Sequence, residues 1–267
     1  MAGAAITYLF VPGDRPERFA KALAAGADVV VIDLEDAVSP DRKEAARGNV
    51  AEALAQGDRQ ACVRINAVDT PWFEQDLGIL SLPGVASVMV PKAETSAALA
   101  AIRAAAPRLA IIPIVETARG LAHAAELAAG ENVQRLAFGS VDFQVDLGIE
   151  GEDMELLFAR SQLVLASRLA GIMAPVDGVT VDVKDAARAT SDSARARRLG
   201  FGGKLCIHPS QLTPVRQAFL PDAESVRWAA GVLQAAESSG AGALTFEGKM
   251  VDKPVLDRAR SIIARAS

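Results

Sequence analysis

The segment VVVIDLEDAVSPDRKEAARGNVAEALAQGDRQACVRIN, residues 29–66, contains the pattern that decides the fold. It begins with the apolar run 29–33 and ends with the run 62–65, and both runs are rich in β-branched residues. Between them, residues 41–55 combine alanines with charged residues, and apolar residues recur at three and four positions, as in an amphipathic helix. The segment is therefore predicted to form a strand, a helix and a second, parallel strand.

The same alternation continues along the chain and predicts eight strands. They are expected at residues 7–11, 29–33, 62–65, 85–90, 111–115, 135–138, 178–181 and 204–207. Most of these runs are apolar on both faces, as parallel strands covered by helices must be. Helices are predicted between them, including residues 16–25, 41–55, 96–105, 118–129, 155–170 and 185–199. This regularity favours a closed (β/α)8 TIM barrel, with an open doubly wound sheet as the alternative. The alternative is weakened because no glycine fingerprint for a dinucleotide follows the first strand.

The chain changes its pattern after the eighth strand. Pro221 opens a long helical stretch to about Ser238, and a loop rich in glycine and alanine then leads to a short closing helix from Pro254. A barrel does not need this tail, so we predict a TIM barrel with extra C-terminal helices. The expected domains are a barrel over residues 1–220 and an extension over residues 221–267, which either pads the barrel or packs on a neighbouring subunit.

The composition bounds the class of protein. The 267 residues are 51% hydrophobic and 23% charged, and no apolar stretch approaches the roughly 18 residues that a membrane span needs. A net charge of −5 gives no basic surface for nucleic acid. The only cysteines, Cys62 and Cys206, are too few for a disulfide framework. We therefore expect a soluble cytoplasmic protein with no nucleic-acid or membrane partner.

Ionic residues follow the predicted strands. In a barrel of this type, the active site is built at the C-terminal ends of the strands and in the loops that follow. At these positions the chain has Asp33, Glu35, Asp36, Arg64, Asn66, Lys92, Glu94, Glu116, Asp142 and His208. So many charges at one rim cost free energy unless they pair or bind a ligand.

Glu116 and Asp142 are predicted to end the fifth and sixth strands, which are neighbours in a barrel. Their carboxylates can then converge, and two carboxylates with waters suit Mg²⁺. Zinc is disfavoured because His123 lies mid-helix and His208 precedes a proline, so histidine-rich ligation is not available. The alternative role for each acid is a helix N-cap or a salt bridge at the rim.

Glu35 and Arg64 are the next candidates. Alternation along the second strand puts Asp33 and Glu35 on one face, so Glu35 can hold metal-bound water from behind, whereas Asp36 is expected to cap the following helix. The planar fork of Arg64 suits a bidentate grip on a carboxylate or a 2-oxo acid. The alternative for Arg64 is an ion pair with Glu35 or Asp33.

Lys92 suggests a different chemistry. A desolvated lysine at a barrel strand end can form a Schiff base with a carbonyl substrate. This alternative is the weakest, because the carboxylate pair would then have no evident task.

Six motifs in this order carry a family resemblance: LFVPG (9–13), DLEDAV (33–38), VRIN (63–66), PK (91–92), IVET (114–117) and GSVD (139–142). The chain resembles the citrate lyase β-subunit family, within the wider malyl-CoA lyase and pyruvate-aldolase (HpcH/HpaI aldolase) superfamily. The match covers essentially the whole chain, including GKMVDKP at residues 248–254.

The resemblance implies a Mg²⁺-dependent carbon–carbon lyase of the TIM-barrel fold. Its substrates would be a 3-hydroxyacyl-CoA thioester, such as malyl-, citramalyl- or citryl-CoA, and the acyl-CoA and 2-oxo acid formed from it. By this resemblance Glu116 and Asp142 hold the metal, Glu35 sits behind metal-bound water, and Arg64 binds the oxo acid. Substrate contacts are expected from Glu116, Gly139 and Ser140, and coenzyme A phosphates are expected to meet Lys21.

The resemblance also gives the tail a function. It implies that Asp252 reaches a neighbouring subunit's site as acid or base, in a homo-oligomer such as a trimer or hexamer. Two other functions remain open: a metal-dependent aldolase acting on free 2-oxo acids, and a β-subunit of a multi-chain citrate lyase complex.

Overall fold

The computed structural model describes residues 5–239 and 244–266. The chain forms two compact units, which divide between Arg216 and Gln217. The predicted boundary after residue 220, and the packing of the extension on a neighbouring subunit, stay predictions.

The first unit is a closed barrel of eight parallel strands, each paired with its neighbours in chain order. The predicted TIM barrel is thereby confirmed. The strands are Thr7–Pro12 (β1), Val29–Asp33 (β2), Ala61–Arg64 (β3), Val85–Val90 (β4), Ala110–Val115 (β5), Ala137–Phe138 (β6), Val176–Asp177 (β7) and Gly203–Cys206 (β8).

Helices follow the strands of this unit, and the last of them, α10, contains the division between the two units. They are Phe19–Leu23 (α1), Lys43–Leu54 (α2), Phe73–Leu77 (α3), Ser96–Ala105 (α4), Ala118–Ala122 (α5), Ala124–Ala128 (α6), Ser140–Leu147 (α7), Leu157–Leu169 (α8), Ala186–Leu199 (α9) and Leu212–Phe219 (α10). Single 3₁₀ turns at Pro16–Arg18, Pro40–Arg42, Met154–Leu156 and Pro209–Gln211 lead into α1, α2, α8 and α10. The helix predicted at 118–129 is two helices that meet at His123, whose Nδ1 lies 2.7 Å from the carbonyl oxygen of Glu94.

Small and branched side chains fill the barrel. Alternate residues of the strands point inward and form one apolar cluster that includes Val31, Cys62, Met89 and Ile112. Cys62 and Cys206 are both buried free thiols. None of the helices in the described part of the chain combines the length and apolar character needed to span a bilayer.

Two predictions for the later strands are wrong in part. The sixth strand ends at Phe138 as predicted but begins at Ala137, and Asp142 lies in the first turn of α7 rather than at a strand end. The seventh strand is Val176–Asp177 instead of 178–181, which form a loop. In this loop the backbone of Gly178 packs so closely against Ser140 that a Cβ there would overlap the Ser140 hydroxyl.

The second unit contains two long helices and a hairpin. Its elements are Ala223–Ser239 (α11), Leu244–Phe246 (β9), Lys249–Val251 (β10) and Lys253–Ala266 (α12). The hairpin was not predicted: Glu247 and Gly248 both have positive φ, as the two central residues of a type I′ turn do, but Glu-Gly is not the usual turn pair. Residues 240–243, from the predicted glycine- and alanine-rich loop, lie outside the described residues.

Candidate active site

A cavity of about 390 Å³ opens at the C-terminal ends of the barrel strands. Ionic and apolar residues both line it. The charged lining residues are Asp33, Asp36, Arg64, Glu116 and Asp142, and Gly139 and Ser140 lie among them in the lining. The apolar lining residues are Phe10, Pro12, Ala37, Ile114, Phe138, Val141, Val179, Leu205 and Ile207. We call Asp33, Glu35, Glu116 and Asp142 the rim carboxylates.

Arg64 is held by two of the rim carboxylates. Its Nε and Nη2 donate to the two oxygens of Asp33 at 2.7 and 2.6 Å, and its Nη1 lies 2.9 Å from Oε2 of Glu35. The guanidinium also lies over the ring of Phe10, 4.8 Å from its centroid. The alternative predicted for Arg64, an ion pair with Glu35 or Asp33, is therefore observed with both acids. An arginine has five N–H donors, so some of its donors remain for a ligand in the cavity that it lines.

Asp33 organises the loop that carries Glu35. Besides holding Arg64, its carboxylate accepts hydrogen bonds from the backbone N–H of Glu35 at 2.9 Å and of Ala37 at 3.1 Å. The buried ammonium of Lys43 donates to the carbonyl oxygens of Leu34 and Glu35, both at 2.8 Å. Because the loop is tied from both sides, Glu35 has a defined position beside Arg64.

Glu35 is a buried carboxyl whose pKa lies near neutral pH. Burial raises the pKa of Glu35 to about 7, with Arg64 opposing the rise and the charges of Asp36 and Asp33 adding to it. Its Oε2 is close to Nη1 of Arg64 but receives no well-aligned hydrogen bond from any described residue. A buried, incompletely satisfied carboxylate oxygen suits contact with an ordered water or a cation.

Glu116 is the most buried cavity-lining acid after Asp33, and the carboxylates of Glu35 and Asp142 lie near it. The pKa of Glu116 is raised to about 8: burial and the nearby charges of Glu35 and Asp142 raise it, and a hydrogen bond from the backbone N–H of Lys92 opposes the rise. That hydrogen bond, to Oε1, is 2.7 Å long. These electrostatic effects show that the four rim carboxylates and Arg64 form one coupled group.

Lys92 contributes through its backbone. Its φ of 45° lies in the left-handed region, which is uncommon for a residue with a side chain, and this conformation accompanies its N–H donation to Glu116. The Lys92 side chain is exposed, so it lacks the desolvation that the Schiff-base alternative requires.

Gly139 lets the chain pass close to Glu116. A Cβ at this position would overlap Oε2 and Cβ of Glu116. The Gly139 N–H donates to the carbonyl oxygen of Val115 at 3.0 Å, and α7 starts at the next residue, the buried Ser140. Asp142 is thus brought beside Glu116 by a helix rather than by a strand end, and both acids line the same cavity.

The remaining predicted residues lie elsewhere. Lys21 is exposed on α1 and is not among the residues that line the cavity, so its contact with coenzyme A stays a prediction. Asp252 caps α12: its Oδ1 accepts a hydrogen bond from the backbone N–H of Val255 at 3.2 Å. Its catalytic role also stays a prediction. His208 accepts a hydrogen bond from the N–H of Ser210 at the start of the turn before α10.

Sequence reasoning missed two residues of the site. Phe10 lies over the guanidinium of Arg64, and the signals for it were its place one residue before the end of the first predicted strand and in the LFVPG motif. Lys43 was seen only as part of a charged helix, although its ammonium fixes the Glu35 loop from the first turn of α2.

The donor set fits a small, hard cation. Several buried carboxylates in one place are unfavourable unless positive charge neutralises them, and the raised pKa values of Glu35 and Glu116 express this cost. Among the described residues, no three histidine, cysteine, aspartate or glutamate side chains form a closed metal cage. Mg²⁺ needs no such cage, since it commonly takes one or two carboxylates and keeps several waters.

The sequence matches a known family model. Residues 7–209, which contain the whole barrel and every rim carboxylate, match the model described as HpcH/HpaI aldolase/citrate lyase. The chain belongs to this family. It is 41% identical to the citrate lyase subunit beta-like protein of Mycobacterium tuberculosis over 266 residues, covering 97% of this chain and 94% of that protein. It is 32% identical to the L-malyl-CoA/beta-methylmalyl-CoA lyase of Rhodobacter capsulatus over 297 residues, covering 97% and 93%.

Solved structures of this family agree with the fold. The chain superposes on CitE of M. tuberculosis, crystallised with magnesium, acetoacetate and coenzyme A, with a TM-score of 0.86, 40% identity and 98% of both chains covered. A second structure, of the citrate lyase beta subunit of M. tuberculosis with oxaloacetate and magnesium, gives a TM-score of 0.72 at 38% identity, covering 82% of this chain and 98% of that one.

Proposed function

We propose that this member of the HpcH/HpaI family is a Mg²⁺-dependent carbon–carbon lyase. It cleaves or forms a 3-hydroxyacyl-CoA thioester, such as malyl-, citramalyl- or citryl-CoA, with an acyl-CoA and a 2-oxo acid as the other reactants. The observation that carries the proposal is that Glu116, Asp142 and Arg64 line one cavity, while Oε2 of Glu35 lies 2.9 Å from Nη1 of Arg64 and its charge acts on Glu116. Relatives that bind magnesium, coenzyme A and oxo acids support it.

Glu116 and Asp142 are the proposed protein ligands of the metal. Glu116 is held ready by the Lys92 N–H, and Gly139 leaves its second oxygen room beside the start of α7. Bound Mg²⁺ supplies positive charge that stabilises negative charge developing on the substrate's oxygens.

Arg64 and Glu35 have different proposed tasks. Arg64, fixed by Asp33 on one side, directs its remaining N–H groups to the carboxylate of the 2-oxo acid, for which a planar fork is well suited. Glu35 has a pKa of about 7, close to the value that favours proton exchange at neutral pH, and its proposed task is to exchange a proton with the substrate's hydroxyl oxygen, directly or through a water.

Cleavage balances as a retro-aldol reaction. The C3 hydroxyl of the thioester gives its proton to Glu35, the C2–C3 bond breaks, and the 2-oxo acid forms at C3. The electron pair of the broken bond remains on the acyl-CoA as an enolate, which then takes a proton at C2. We propose Asp252 of a neighbouring subunit as the donor of this proton, in a homo-oligomer such as a trimer or hexamer.

The test is a panel of malyl-, citramalyl- and citryl-CoA, assayed with added Mg²⁺ and with excess chelator. The proposal expects cleavage of at least one thioester that chelator abolishes and Mg²⁺ restores. Turnover of free 2-oxo acids without any thioester would instead establish the aldolase alternative. Activity that appears only with copurified acyl-carrier and transferase chains would establish the β-subunit alternative.

We also propose a cytoplasmic location. The buried free thiols of Cys62 and Cys206 support it, because unpaired cysteines are typical of a reducing compartment.

A further inference from the structure

The last residue of β7 and the three that follow it, residues 177–180, form part of the cavity wall, and we call this segment the β7 wall. Its residue Val179 lines the cavity, as the apolar residues Ile114, Leu205 and Ile207 do. The residues of the β7 wall on both sides of Val179 are held by buried polar side chains from neighbouring elements.

The first half of the β7 wall is tied to α8 and β8. Asp177 accepts a hydrogen bond from Nε of Arg160 at 2.9 Å, and both side chains are almost completely buried. The ammonium of Lys204, 1% exposed, donates to the carbonyl oxygen of Gly178 at 2.6 Å. Buried charges are stable only when they are paired in this way, so these contacts resist displacement.

The second half is tied to α9 and to the β8 loop. The hydroxyl of Thr180 donates to Asp192 at 2.8 Å, and the Thr180 carbonyl oxygen accepts from Nε2 of Gln211 at 2.7 Å. Oε1 of Gln211 in turn accepts from the backbone N–H of Ile207 at 2.9 Å, so one amide connects two neighbouring parts of the cavity wall. All three side chains, of Thr180, Asp192 and Gln211, are buried.

Val179 is the apolar residue between these anchors. It is partly buried, packs on the apolar cluster inside the barrel, as Phe10 does, and keeps a face toward the cavity. Two hydrogen bonds hold the backbone carbonyls of Gly178 and Thr180, and two more hold the side chains of Asp177 and Thr180, so the wall cannot easily move inward to fill a space or outward to make one. A larger side chain at position 179 therefore leaves less cavity volume for a ligand, and a smaller one leaves more.

We infer that Val179 is a specificity-determining residue that limits the size of the apolar substituent on the 2-oxo acid. This inference rests on the proposed function, which places the oxo acid's carboxylate at Arg64. Arg64 ends β3 and Val179 follows β7, four strands away around the closed eight-stranded barrel, so the two residues line opposite parts of the cavity and the substituent of an oxo acid held at Arg64 extends toward Val179. Nothing about the reaction itself requires valine at this position, so its size selects among substrates rather than supporting the chemistry.

The experiment compares Val179→Ala and Val179→Leu with the unaltered protein. The substrates are glyoxylate, pyruvate and 2-oxobutyrate, each condensed with acetyl-CoA in the presence of Mg²⁺. One methylene in an apolar pocket changes kcat/KM by about 10- to 200-fold. Val179→Ala should therefore raise the 2-oxobutyrate-to-glyoxylate ratio of kcat/KM by at least about 10-fold, and Val179→Leu should lower it. The control is Val181→Ala, since Val181 is 58% exposed and is not among the cavity-lining residues.

A second measurement separates this inference from the proposed function. Dissociation constants of the three oxo acids, measured by calorimetry with Mg²⁺, give the same comparison without turnover. If the unaltered protein cleaves and forms no thioester, the proposed function fails, and the binding ratios still decide the role of Val179. The inference would be overturned if the 2-oxobutyrate-to-glyoxylate ratios of both folded Val179 variants stayed within about twofold of the ratio in the unaltered protein. A shift of the same size in Val181→Ala would overturn it too.

Discussion

Replacing Arg64 with lysine keeps the positive charge but removes the planar guanidinium that donates two parallel hydrogen bonds to Asp33. In the native site the guanidinium donates to both oxygens of Asp33, at 2.7 and 2.6 Å, and lies 2.9 Å from Glu35. A single ammonium on a different stem cannot reproduce the two parallel hydrogen bonds. We therefore expect at least one buried charge-assisted hydrogen bond to be lost, which leaves a carboxylate oxygen of Asp33 without its donor.

The size of the effect follows from that loss. One hydrogen bond to a charged group contributes about 1.5–3 kcal/mol, so Arg64→Lys should reduce the free energy of unfolding by about this amount. If the donors facing the cavity hold the oxo acid by a similar pair, losing one of them lowers kcat/KM by about 10- to 150-fold, at about 1.4 kcal/mol for each factor of ten.

Two assays test this prediction. Denaturant unfolding gives the stability change, and condensation of acetyl-CoA with a 2-oxo acid gives kcat/KM. The control is Arg103→Lys, because Arg103 forms a surface pair with Glu131 at 3.1 Å and is 39% exposed, so its change should stay within about 0.5 kcal/mol. Near-normal stability and near-normal kcat/KM in Arg64→Lys would show that the fork neither supports the site nor binds substrate.

Three further predictions concern the other acids of the site and the tail. Glu116→Gln and Asp142→Asn should each abolish Mg²⁺-dependent activity and leave the far-UV circular dichroism unchanged; turnover at limiting Mg²⁺ comparable with the unaltered protein would remove that acid from the metal site. In chelator, the free energy of unfolding should fall as pH rises from about 4.5 to about 8, because raised pKa values of about 7 for Glu35 and about 8 for Glu116 make the folded state bind more protons than the unfolded state over this range. Urea titrations across this range check the slope, which should become shallower in Glu116→Gln; an equal slope in that variant would contradict the assignment. Asp252→Asn should lower kcat by about 10²- to 10⁴-fold if the residue exchanges a proton with substrate, while stability stays almost unchanged because asparagine caps a helix nearly as well. Mixing inactive Asp252→Asn and Glu116→Gln chains should restore part of the activity, and mixed oligomers without recovery would show that Asp252 does not act in a neighbouring site.

The alternation of the chain determined the barrel without any tertiary information. Two strands were predicted with their exact observed bounds, Val29–Asp33 and Val85–Val90, because a run that is apolar on both faces and bounded by turn residues has few other stable environments. The predicted ends of the second, third and fifth strands also placed Asp33, Arg64 and Glu116 at one rim. Side chains alternate between the two faces along a strand, and this local pattern can be seen in the sequence without knowledge of the tertiary structure.

Tertiary structure decided what these residues do to one another. Arg64 and Asp33 are 31 positions apart, and their fork exists only because β2 and β3 pair in register. Asp142 lies near Glu116 because it is in the first turn of α7, and α7 can start there because the Gly139 backbone approaches the Glu116 carboxylate closely. Sequence spacing could not show this, since a close approach is set by which strands become neighbours after the barrel closes. The raised pKa values have the same origin, because burial and the distance between charges are properties of the packed chain.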